Sequence, residues 1–130
     1  MKDSLLYLGK IVPAKVKIKP WGWEKLWALS DNYIGKIIHI NPGHRLSKQY
    51  HKTRDKTIHV LSGVLILHMN EFQIEHTLSA GQSVRIHPST IHRLEAPPNG
   101  EPAVLLEAAT TELDDLVRVE DDYNRVDISE

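Results

Sequence analysis

From Lys15 onward the chain consists of short apolar runs broken by turn residues. YIGKIIHI (33–40), TIHVLSG (57–63), VLILHM (64–69), SVRIH (83–87) and AVLLEA (103–108) are rich in Val, Ile and Leu, the composition of strands rather than helices. Breaks fall at Asn41-Pro42-Gly43, Ser62-Gly63, Ser79-Ala80-Gly81 and Pro97-Pro98-Asn99-Gly100, which read as hairpin corners. Many short strands with turns between them predict an all-β sandwich or barrel. VLIL and AVLL are apolar on both faces, so each side must be covered by a second sheet, a terminal segment or another subunit; a homodimer is expected. Residues 1–14 read as an N-terminal arm and 15–130 as one domain. Glu112 to Arg125 alone reads as acidic, helix-like or irregular structure.

Composition narrows the partners. With 130 residues the chain is long enough for one core and short of two. A hydrophobic share of 41% against 25% charged residues is that of a globular protein and not a disordered one. The formal net charge of -1 gives no general attraction to nucleic acid or an anionic membrane, so the expected partner is a small molecule. No cysteine is present, and any metal would need His, Gln, Asp or Glu as ligands. The first residues carry a short apolar patch broken by Gly9 and Lys10, neither signal peptide nor membrane anchor, and the expected location is the cytoplasm.

Eight histidines raise the question of a metal. His39, His59, His68 and His76 stand in strand patterns without a second ligand at a suitable spacing and read as solvated or hydrogen-bonded strand histidines. Gln49 and His51 differ: two residues apart on one strand, they share a face. His92 opens a strand some forty residues later, and a barrel would bring the three together across its interior. Neutral N and O donors of this kind suit zinc, iron, manganese or nickel, with water completing the shell.

The segments KPWGWEKLWA (19–28), YIGKIIHINPGHRLSKQYH (33–51), VLSG (60–63), the strand to His92 and LDDLVRVEDDYNR (113–125) together resemble a cupin. The resemblance is to the small single-domain cupins similar to the mannose-6-phosphate isomerase part of bifunctional mannose-phosphate guanylyltransferases. It implies a jelly-roll β-barrel with a divalent metal on Gln49, His51, a carboxylate of the next strand, and His92. The carboxylate position falls on Lys56, a cation where the resemblance implies charge neutralisation. His87 stands where a proline is usual, Ser89 where a glycine is usual, and Ala96 where an asparagine often closes the motif.

Lys56 has two readings beyond that of a solvated loop-edge residue. Its stem carries the ammonium out of the barrel mouth, leaving a three-ligand site, or the ammonium takes the ion's place and faces a substrate carbonyl or phosphate. The resemblance suggests interconversion of mannose 6-phosphate and fructose 6-phosphate, a reaction needing a carbonyl-polarising group, a base and a cationic phosphate pocket. Lys56 or the metal serves the first need, and Glu107 is the candidate base. Lys19, Lys36 and Arg118, in the best-matching segments, are candidates for the phosphate. Trp21, Trp23 and Trp27 read as packing residues in at least two cases, otherwise as a platform for a sugar. The alternative function is a non-catalytic module binding a sugar or sugar phosphate. A dioxygenase is disfavoured, since no carboxylate completes a triad with the two histidines.

Overall fold

The computed structural model describes residues 11, 13–69, 74–112 and 114–125; most of the arm expected over 1–14 lies outside them. Eleven strands form, among the described residues, two antiparallel sheets. The six-stranded sheet holds β1 (Lys15–Lys19), β2 (Gly22–Leu29), β3 (Ile34–Ile40), β10 (Ala103–Ala109), β5 (Lys56–Ser62) and β8 (Ser83–Ile86) in that spatial order. The five-stranded sheet holds β11 (Leu116–Glu120), β4 (Lys48–His51), β9 (His92–Glu95), β6 (Val64–Met69) and β7 (Ile74–Ser79). The expected all-β jelly-roll architecture is therefore the one observed. The acidic segment expected to be helical or irregular supplies β11 instead. LVRVE alternates, and it pairs with β4 so that Arg118 lies opposite Gln49. An open edge of β4 offered backbone partners that outweighed the helix-favouring acidic flanks.

Period-two alternation decides what faces inward. Ile38 and Ile40 of β3, Leu105 of β10, Ile58 and Val60 of β5, Leu65 and Leu67 of β6 and Leu94 of β9 meet between the sheets in one core cluster, which Trp21 joins. Along four of these strands the inward positions turn polar: Ile38 is followed in phase by Lys36, Ile58 by Lys56, Leu105 by Glu107 and Leu94 by His92. The registers pair Lys36 with Glu107 and Gln49 with His92. One end of the interior is thus hydrocarbon and the other is built of charged and hydrogen-bonding groups.

The turn after β8 carries a local cost. Ser89 adopts φ 64°, a left-handed conformation that disfavours any residue with a Cβ by about 1–2 kcal/mol. It persists because its N–H donates to the His51 carbonyl at 2.6 Å, tying the β8–β9 turn to the end of β4. Replacing Ser89 by glycine removes that strain and adds about 0.5–1 kcal/mol of unfolded-state entropy. The net expectation for Ser89→Gly is a gain of roughly 0.5 to 1 kcal/mol, read in thermal or urea unfolding; an unchanged or lowered midpoint contradicts it.

Candidate functional site

The polar end of the barrel gathers all eight residues singled out in the sequence. Gln49, His51 and His92 come from the five-stranded sheet and are buried, as are Lys36, Lys56 and Glu107 from the six-stranded sheet and Arg118 from β11; Lys19 ends β1 at the mouth. His51 and His92 have ring centroids 6.4 Å apart. Each is oriented by its Nδ1: His92 Nδ1–H donates to the Thr90 carbonyl at 2.9 Å, and His51 Nδ1 meets Asp115 Oδ1 at 3.0 Å. For His92, whose partner is a carbonyl that can only accept, this assigns Nε2 as the lone-pair nitrogen. His92 Nε2 is buried and has no hydrogen-bond partner. Burial, reinforced by the Lys56 charge, holds the His92 pKa well below the usual histidine value, so the ring is neutral at pH 7.

Facing the histidines is a pair of opposite charges. Lys56 and Glu107 are 4% and 3% exposed, and Lys56 Nζ lies 3.8 Å from Glu107 Oε1. Glu107 Oε2 is buried without a hydrogen-bond partner. The Lys56 stem therefore does not carry the ammonium out of the mouth; that reading is corrected. Lys56 lies in phase with Ile58 and Val60 on β5, so its Cβ starts inward. A second pair, Lys36 Nζ to Glu24 Oε1 at 3.5 Å, joins the neighbouring strands β3 and β2.

Residues 12–121 match the mannose-6-phosphate isomerase C-terminal family. The chain belongs to that family. Mannose-1-phosphate guanylyltransferase RfbM of Salmonella typhimurium is 32% identical over 105 residues, 78% of this chain and 21% of the relative; the chain spans about a fifth of that curated protein. The capsular polysaccharide assembling protein CapF of Staphylococcus aureus superposes with a TM-score of 0.75 at 17% identity, over 88% of this chain and 34% of that one. The polyketide cyclase RemF of Streptomyces resistomycificus gives 0.74 at 17% identity, over 86% of each chain. A likeness to a cupin-superfamily sugar phosphate isomerase of Silicibacter pomeroyi, with a TM-score of 0.65 at 18% identity over 77% of this chain and 66% of that one, establishes the cupin fold.

For a mannose-6-phosphate isomerase-type cupin a metal is implied, and the donor set tests it. Gln49, His51 and His92 are brought together with their rings oriented as metal ligands often are. Two imidazoles and an amide bring no negative charge, and the Lys56 ammonium already acts on His92 electrostatically. A divalent ion added there would meet repulsion that the implied carboxylate would have removed. The residues present do not fit the metal.

The phosphate candidates divide between two cavities that adjoin at Glu24. Lys36 lines one of about 380 Å³ together with Lys15, Lys17 and Asp114. Lys19 and Arg118 line one of about 20 Å³ with Arg125 and Gln49, room for about one water. Trp21 is a core residue, Trp23 stacks on His39 at 4.8 Å, and Trp27 packs over Gly35; all three act in packing. His87 is exposed and outside the interior. His59 bonds Ser83 at 2.7 Å and His68 bonds Glu95 at 2.6 Å, as hydrogen-bonded strand histidines do.

Two residues of the site escaped the sequence reading. Glu24 is in phase with Gly22 on β2, a weak signal because β2 is later interrupted by a bulge. Asp115 stands just before β11 and clamps the end of β4: its Oδ2 accepts from the backbone N–H of Thr53 at 2.8 Å and Arg54 at 2.7 Å while Oδ1 holds His51. Burial alone would raise its pKa, but the two backbone bonds, then His51 and the Thr53 hydroxyl, lower it to about 2. A carboxylate so depressed contributes stability that is present above its unfolded value near 4 and lost as pH falls toward 2. Asp115→Asn is expected to cost about 2 kcal/mol at pH 7 and well under 1 kcal/mol at pH 2. Urea unfolding of both proteins across pH 2 to 7 checks this, and parallel curves contradict it.

Proposed function

We propose that the barrel binds a sugar phosphate and interconverts its aldose and ketose forms, mannose 6-phosphate and fructose 6-phosphate being the substrates that the family suggests. The observation that carries this reading is the buried Lys56–Glu107 pair beside the lone pair of His92. These are the three groups such a reaction uses. Glu107 Oε2 takes the proton from C2 of the aldose, and the electron pair moves through C1 to its carbonyl oxygen. The Lys56 ammonium stabilises the charge on that oxygen. His92 Nε2 accepts the O2 proton and hands it to O1, and Glu107 returns its own proton to C1, giving the ketose with nothing gained or lost. Lys36, with Lys15 and Lys17 in the larger cavity, holds the phosphate; the small cavity at Lys19 and Arg118 has no room for one.

No step in this scheme passes through a metal, which departs from the divalent ion that the resemblance implies. The exposed apolar residues Val16, Ile18, Trp27 and Leu61 of the six-stranded sheet support a homodimer as part of the same proposal, and the cytoplasm is its proposed location.

Turnover of mannose 6-phosphate in deuterated water, followed by proton NMR, tests the assignment. Fructose 6-phosphate should accumulate, and Glu107→Gln should lower the rate by about 100-fold or more. Conversion no faster than with Glu107→Gln rules out the isomerase; binding that persists without conversion identifies a non-catalytic sugar-phosphate domain.

A further inference from the structure

Of the buried atoms without hydrogen-bond partners at the polar end, two are acceptors. His92 Nε2 is the lone-pair nitrogen because Nδ1–H is committed to the Thr90 carbonyl, and Glu107 Oε2 belongs to a carboxylate whose other oxygen faces Lys56. Buried acceptors left unsatisfied cost about 1–3 kcal/mol each, so a ligand that supplies donors is favoured there. A phosphate at neutral pH brings mainly acceptors and negative charge, and beside a carboxylate and an imidazole lone pair it is repelled. A metal ion would bring positive charge, but that role is already filled by an ammonium 3.8 Å from the carboxylate. The chemistry that completes the site is a pair of hydroxyl groups.

We propose that this end of the barrel is a metal-independent polyol subsite, in which two hydroxyls of a sugar donate to His92 Nε2 and Glu107 Oε2 while the Lys56 ammonium stands where a cation would. The inference rests on the sugar-phosphate reading for its ligand and adds the placement: hydroxyl-bearing carbons at Lys56, Glu107 and His92, phosphate on the side of Lys36 and its larger cavity. Gln49, opposite His92 in register, lies on the same wall. Thr90 and Asp115 orient the His92 and His51 rings.

The test is imidazole nitrogen-15 NMR on the full chain in EDTA, with three probes: mannose 6-phosphate, the neutral polyol mannitol, and inorganic phosphate. A lone-pair nitrogen that gains a donor moves upfield by several ppm, so mannose 6-phosphate and high mannitol should both shift His92 Nε2, whereas inorganic phosphate should leave it in place. His92→Phe should weaken mannose 6-phosphate by about tenfold, which corresponds to about 1.4 kcal/mol. No His92 shift with either hydroxyl-bearing probe overturns the proposal, as does binding that EDTA abolishes and zinc or manganese restores. Lys56→Glu provides an independent arm, since it rebuilds a carboxylate: it should bind zinc at least tenfold more tightly than the parent, and a parent that already binds zinc stoichiometrically contradicts the inference. Failure of the isomerase reading looks different, because conversion is then absent while the His92 shift remains.

Discussion

The Lys56–Glu107 pair is the constraint around which the polar end of this barrel is arranged. Two opposite charges buried between sheets each lose several kcal/mol of hydration, which their mutual attraction offsets only if both are present. Removing either leaves the other uncompensated. The pair also sets what its neighbours can be. Burial, reinforced by the interior ammonium, holds His92 neutral with its lone pair available, and a divalent ion meets charge of its own sign. The departure at Lys56 is thus matched by the rest of the interior and is more than an isolated substitution.

Beneath this pair the barrel is ordinary cupin architecture, and its core needs no special chemistry. Apolar residues at alternate positions of β3, β5, β6, β9 and β10 interlock between the sheets. The same alternation, carried a step further along each strand, delivers Lys36, Lys56, Glu107 and His92 to one place. A fold that fills most of its interior with hydrocarbon therefore presents a compact reactive surface at one end. Asp115 and Ser89 brace that surface from outside, the one fixing the His51 ring and the loop after β4, the other joining the turn before His92 to the His51 carbonyl.

Most of the strand positions were legible from short Val, Ile and Leu runs, since period-two burial is a local property. β11 was not, because its residues gain their pairing from β4, sixty-odd positions earlier in the chain. Among site residues, Gln49 and His51 were legible from their spacing and His92 from the strand that it opens. Lys56 shows the limit. It stands just before the apolar run 57–63, and a lysine's long stem allows the charge to sit far from its Cβ, so the sequence left it as a loop-edge residue, a group pointing out of the mouth or a charge in the ion's place. Only the carboxylate that receives it, from a strand fifty residues later, decides between them.

The central claim is that Lys56 and Glu107 act as one buried pair, and a double-mutant cycle measures that directly. Stabilities of the parent, Lys56→Met, Glu107→Leu and the double variant are compared by urea unfolding at pH 7. Each single change should cost about 3–5 kcal/mol, and the double variant should recover at least about 2 kcal/mol relative to the sum. Single losses that add to within about 0.5 kcal/mol would contradict the account.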